Sequence, residues 1–233
     1  MTTNHQTAVL KGSEHPLTDR RAAITAANLI RCAGLSAILA GILFIVIQMI
    51  HPIDTLSAVV TDRWVIVHIL SVAMTLFGLL GVTGIYARQT EQAGWLGLAG
   101  YLLFSLFFAL TMAFQFAEAF ISPVLASEAP QFVEGFLGIV SGTVSESNIG
   151  DLDTVYSITG VMYLLGGLLF GIATLRAGIL SRWAAGMLAF GTVLPLLLSS
   201  LVHHPYDRVL AVPVGLSLAW LGYSIWSERR EKA

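Results

Sequence analysis

The chain has 233 residues, of which 56% are hydrophobic and 11% are charged, and its formal net charge is −2 at pH 7. About a quarter of the residues of an ordinary soluble domain are charged, so this composition does not supply the polar surface of a water-soluble globule. The net charge excludes a broad basic face for nucleic acid. The single cysteine, Cys32, excludes an internal disulfide and a cysteine-based zinc site. The predicted partner of the surface is therefore a lipid bilayer, and no nucleic-acid partner is expected.

Apolar segments of membrane-spanning length follow one another along the chain. Crossing the hydrocarbon takes about 20 predominantly apolar residues, and the run from Cys32 to Ile50 is too long for the core of a signal peptide. The predicted spans are 29–51, 64–87, 95–124, 155–175, 183–202 and 209–226, between tails at 1–28 and 227–233. Peptide groups in lipid must bond within their own segment, so each span is predicted to be a helix. The sequence thus predicts an all-α, polytopic bundle of six transmembrane helices.

The distribution of Lys and Arg predicts the orientation of this bundle. Of the 12 Lys and Arg residues, only Arg63 and Arg208 fall in the loops on one side of the predicted membrane. The positive-inside rule therefore places both termini in the cytoplasm and the chain in the cell membrane. Four tryptophans fall at predicted span ends, where interfacial indoles are common: Trp64, Trp95, Trp183 and Trp226.

The longest predicted loop, 125–150, lies on the outer side and contains Glu128, Glu134 and Glu146 but no Lys or Arg. Apolar residues recur in it at helical spacing from Phe132 to Val140. This pattern predicts a short amphipathic helix on the outer membrane surface, with a mobile loop as the alternative.

Small residues and one proline indicate how the spans pack. Close helix contacts in lipid depend on small side chains, and the glycines in question are Gly78, Gly81, Gly84, Gly94, Gly97, Gly100, Gly167 and Gly171. All are predicted to be packing residues without chemistry. Pro195, near the middle of the fifth span, predicts a kink because proline removes a backbone donor.

Histidines and one carboxylate gather near the outer ends of the predicted spans. Ionisable side chains are costly in a bilayer, so we expect their faces to turn into the bundle. The candidate pocket residues are His51, His68, Gln115, Glu118, Tyr156, His203 and His204. A short sequence, His-Pro-x-Asp, is repeated near these residues: His51-Pro52-Ile53-Asp54 follows the first span and His204-Pro205-Tyr206-Asp207 follows the fifth.

Three functions are compatible with this pattern. In the first, the polar groups satisfy one another in a structural or accessory bundle. In the second, His51, His68, Glu118 and His204 bind a transition metal such as zinc, or facing histidines bind haem, in a membrane metalloenzyme or redox protein. In the third, Glu118 and His68 serve a small-solute or proton-coupled transporter. Six spans are few for such a carrier, so a homo-oligomer is compatible with this third function.

Overall fold

The computed structural model describes residues 25–141, 148–198, 201–202 and 206–230. These residues are 90% helical and contain no strand, which confirms the all-α class. The helices are α1 (Ala26–Ile50), α2 (Leu56–Val59), α3 (Asp62–Phe116), α4 (Ser122–Glu128), α5 (Pro130–Ser141), α6 (Leu152–Ala177), α7 (Arg182–Leu198) and α8 (Val212–Arg230). A π-helical turn, Ala117–Ile121, joins α3 to α4, and a 3-10 helix, Tyr206–Ala211, leads into α8.

Four helical stretches are long and apolar enough to cross a membrane, fewer than the six predicted. They are Ala26–Ile50, Asp62–Glu128, Leu152–Ala177 and Tyr206–Ser227. The predicted second and third spans belong to one of these stretches, and α7 ends at Leu198, before the predicted end of the fifth span. The described chain therefore shows several membrane-length helices, whereas six crossings and their orientation stay predictions.

Helix α3 doubles back on itself near its middle. Its backbone leaves the helical region at Gln89 and at Gly94, where φ is +57°, a conformation that glycine adopts without a steric penalty. On either side of this turn the rings of Tyr86 and Tyr101 stack with centroids 4.7 Å apart. We call residues 62–88 the first arm and residues 95–116 the second arm. The predicted packing role of Gly94 is wrong, because a Cβ there would meet nothing within 4 Å.

The long helices and the two arms of α3 form a closed ring. In order around it lie α8, α1, the first arm, the second arm, α6 and α7, which returns to α8. Glycines line the seams, where an added Cβ would lie within 3.0 Å of the facing helix: Gly41 and Gly222 between α1 and α8, Gly81 and Gly84 against α1, Gly100 against α6, and Gly167 and Gly171 against α7. Small residues let the backbones approach, so the predicted packing role is confirmed at five of these positions, with Gly41 and Gly222 in addition.

The outward surface of the ring is apolar. On α1 the exposed side chains recur every three or four residues: Leu35, Leu39, Ile42, Val46 and Met49. Large apolar side chains are exposed on the other long helices as well, including Leu80, Leu106, Val161 and Trp220. A soluble monomer rarely exposes apolar surface so continuously.

Helix α5 covers one end of the ring, and its helical conformation is as predicted. Its Val133 and Leu137 are buried in a cluster with Val59 and Trp64. Trp64 is 0% exposed, so its prediction as an interfacial indole is wrong, whereas Trp95 and Trp183 are 85% and 81% exposed. The fold thus places a buried indole beneath α4 and α5.

Candidate functional site

The site begins with the π-helical turn at Ala117–Ile121, which frees one backbone carbonyl. The N–H of Ser122 bonds to the carbonyl of Ala117, five residues back, instead of that of Glu118. In this wider register the Glu118 carbonyl would accept from residue 123, but Pro123 has no N–H. Turns of this kind occur often at functional sites. The sequence signal was Pro123 five residues after Glu118, which the sequence analysis did not use.

Trp64 satisfies the carbonyl that the π-helical turn frees. Its indole Nε1–H donates to the Glu118 carbonyl at 2.8 Å, and both residues are buried. The same indole lies against the His68 ring, with centroids 4.2 Å apart and planes 31° apart. Trp64 therefore holds the backbone of Glu118 and the ring of His68 in one rigid arrangement.

His68 and Glu118 form a buried pair whose two facing atoms are not joined by a hydrogen bond. The Nδ1 atom of His68 lies 2.7 Å from the Trp64 carbonyl, which only accepts, so Nδ1 carries a proton. Its Nε2 lies 3.2 Å from Oε2 of Glu118 but makes no hydrogen bond within the described chain. A neutral imidazole and an ionised carboxylate would oppose two lone pairs here. A hydrogen-bond donor or a cation between the two atoms would relieve this repulsion.

His51 stands directly after the last residue of α1, with its ring edge-on to that of His68 at a centroid distance of 5.0 Å. Its Nδ1 donates to the Pro52 carbonyl at 2.7 Å, which leaves Nε2 as an acceptor.

Asp54 and Arg208 belong to the site, although the sequence analysis did not choose them. The Arg208 guanidinium donates to the Asp54 carboxylate, whose side chain is 2% exposed. Asp54 is the last residue of the first copy of the repeated His-Pro-x-Asp sequence, and Arg208 follows the second copy. This repeated sequence was therefore the signal that could have pointed to Asp54 and Arg208, because one of them ends the first copy and the other follows the second.

A central cavity of about 180 Å³ connects these groups inside the ring. Its polar walls are Gln48, His51, Asp54, Ser71, Thr111, Gln115, Glu118, Tyr156 and Arg208. The structure thus brings together four of the predicted pocket residues, His51, Gln115, Glu118 and Tyr156, with His68 in contact behind Glu118.

A second cavity of about 280 Å³ adjoins the central one and shares Thr111, Gln115 and Tyr156 with it. It extends along α6 to Tyr163 and to Pro195 of α7. Two buried polar atoms on these walls have no hydrogen-bond partner among the described residues, the Tyr163 hydroxyl and Nε of Arg208. Buried polar groups are nearly always satisfied, so these two atoms are the ones on the cavity walls that an occupant would bond to.

The predicted metal set is incomplete in the described structure. His203 and His204 lie outside the described residues. Among the residues that are described, no group of three or more His, Cys, Asp or Glu side chains has a geometry that could hold a metal ion.

Comparisons with protein families, with curated proteins and with solved structures find no match for this chain.

Proposed function

We propose that this chain is a six-span protein of the cell membrane, with both termini cytoplasmic, which carries a small polar solute through its central cavity. The closed ring separates an apolar outer surface from a polar interior. That arrangement suits a protein that moves a polar molecule through lipid.

Membrane location is supported by the apolar belt and the length of the helices. The two arms of α3 serve as separate crossings in this proposal, because they run antiparallel about the turn at Gln89 and Gly94. Helix α7 has 17 residues, which corresponds to about 25 Å at about 1.5 Å per residue. A hydrocarbon layer of about 30 Å is met at that length with slight local thinning.

The observation that carries the solute proposal is the pair of unsatisfied atoms on the cavity walls, the Tyr163 hydroxyl and Nε of Arg208. An unsatisfied buried polar group costs about 1–3 kcal/mol. Charged side chains inside a membrane bundle commonly mark solute or ion pathways. A solute with both donor and acceptor atoms would form hydrogen bonds with these two atoms and remove the free-energy cost of leaving them unsatisfied.

The test is thermal unfolding of the purified protein in detergent against single compounds: small amines, amino acids, sugars and short carboxylic acids. A compound that binds the folded state raises the melting temperature further as its concentration increases, following the logarithm of that concentration above the Kd. Tyr163→Phe should abolish the increase, whereas Tyr223→Phe, on the exposed face of α8, should keep it. A stabilising compound should then cross liposomes that contain the protein. The proposal is wrong if no compound stabilises the protein, or if Tyr163→Phe responds like wild type.

A metal site is the second candidate, and one observation favours it. His51 and His68 each use Nδ1 to bond a backbone carbonyl at 2.7 Å, which leaves both Nε2 atoms as acceptors. Histidines that bind metals are commonly oriented by such a bond. Elemental analysis of the purified protein tests this candidate, with an absorption spectrum for haem. Metal at one equivalent that His68→Ala removes and Tyr163→Phe retains would favour the metal site over the solute cavity.

A further inference from the structure

A third cavity, of about 330 Å³, opens on the side of the ring. It lies between the second arm of α3, α5 and α6, and we call it the side pocket. Its walls are apolar except for Ser122, and they include Ala113, Phe136 and Val155. Pockets of about 300–1,000 Å³ hold small molecules, so the side pocket is large enough for part of a ligand.

Small residues and the π-helical turn create this space. Ala113 and Ala117 follow each other at a spacing of four residues, so both face the pocket without filling it. Ala113 and Ile121 are exposed on the outward surface, and Ile121 is 46% exposed. The mouth of the side pocket therefore lies on the same apolar face that meets lipid in the proposed membrane.

Phe114 separates the side pocket from both inner cavities. Its ring lines all three spaces. It stacks on Phe136 at 6.0 Å and meets the edge of Tyr156 at 5.5 Å, measured between ring centroids. One aromatic side chain thus stands between a pocket that is apolar except for Ser122 and a cavity lined by Asp54, Glu118 and Arg208.

We infer that the side pocket holds the hydrocarbon chain of a single-chain amphiphile whose uncharged, hydroxyl-bearing head group reaches past Phe114 into the central cavity. The inference rests on the membrane location in the proposed function, and it makes the head group the occupant of the polar cavity. Such a ligand satisfies both halves of the site, because its chain removes apolar walls from contact with water while its hydroxyls bond to the polar walls.

The charges of the central cavity favour an uncharged head group over an anionic one. Asp54 already accepts from Arg208, the only Lys or Arg among the described residues on the walls of this cavity. Glu118 adds a second carboxyl group. A fatty-acid carboxylate would meet both acidic groups, whereas hydroxyl groups donate to them and accept from Arg208.

Photochemical labelling tests the inference. The full chain in liposomes would be exposed to a long-chain monoacylglycerol with a diazirine in its acyl chain, irradiated and digested, and the labelled peptides mapped. Label is expected within residues 110–125 and 132–136, on the walls of the side pocket. Ala113→Phe should lower that label several-fold by filling the pocket. The matched control is Ala99→Phe, at an exposed alanine on the same arm that does not line the pocket, and it should change the label less than twofold.

The other outcomes separate this inference from the proposed function. Label spread evenly over the exposed faces, or label at the side pocket that Ala113→Phe leaves unchanged, would show annular lipid only and overturn the inference. A fatty acid with the same diazirine that labels more strongly than the monoacylglycerol would overturn the uncharged head group. Pocket label without stabilisation by any small polar compound would support the inference while the carrier proposal fails. A stabilising compound without pocket label would do the reverse.

Discussion

The indole Nε1–H of Trp64 donates to the backbone carbonyl of Glu118 at 2.8 Å and so joins the start of the first arm of α3 to the π-helical turn after the second arm. The two residues are 54 positions apart in the chain. Because Pro123 supplies no N–H to this carbonyl, the indole is its hydrogen-bond donor within the described chain.

Trp64→Phe is expected to destabilise the protein by about 1–3 kcal/mol, since the Glu118 carbonyl is left buried without a donor. The measurement is thermal unfolding in detergent. Trp95→Phe is the control, because Trp95 is 85% exposed and should change the melting temperature little. Equal melting temperatures for both variants would show that the indole bond contributes no stability.

Glu118→Gln should leave the melting temperature near the wild-type value, since the amide keeps the shape of the side chain and can donate to Nε2 of His68. It should also abolish stabilisation by the solute, or the metal content, of the wild-type protein. Glu118→Leu should lower the melting temperature, because it leaves polar partners unpaired. If Glu118→Gln keeps both the stability and the ligand response of the wild type, the functional role of this residue is wrong.

The buried pair of Asp54 and Arg208 should show coupled energetics. Arg208→Met leaves the Asp54 carboxylate, 2% exposed, without this guanidinium, and breaking a buried pair costs about 3–5 kcal/mol. Asp54→Leu combined with Arg208→Met should recover part of that loss. A double-mutant cycle on thermal stability measures the coupling, and strictly additive losses would show that the two side chains do not depend on each other.

Gly41 and Gly160 give a matched pair for testing the seam between α1 and α8. A Cβ on Gly41 would lie 2.3 Å from the Gly215 carbonyl oxygen, while one on Gly160 would meet nothing within 4 Å. Gly41→Ala should therefore cost about 1–3 kcal/mol through overpacking, and Gly160→Ala should have little effect. Similar melting temperatures would mean that α1 and α8 do not approach as closely as described.

Orientation is tested with reporters that are active only in the cytoplasm. A reporter fused after Ala233 should be active, and one inserted near Ser145 should be silent. The opposite pattern would reverse the proposed orientation. Activity at both sites would contradict the proposed number of crossings, because the two positions would then share one side of the membrane.

The sequence was sufficient for the helical class and for most of the residues that meet at the site. Apolar segments of about 20 residues favour helices, because a helix satisfies its own backbone hydrogen bonds, and the all-α prediction is confirmed. Helical spacing and similar predicted depth placed His51, His68 and Glu118 together, and the structure brings their side chains into one cluster.

Only the tertiary structure decided how the arms of α3 fold back, that Trp64 is buried and that Asp54 meets Arg208. Each of these depends on contacts between residues far apart in the chain, and local periodicity contains no information about such contacts. The side pocket is a further case, because it arises from small side chains on one helix facing the gap left by two others. Composition and spacing thus determined which helix faces turn inward, whereas close packing of distant segments decided which polar atoms and cavities face one another.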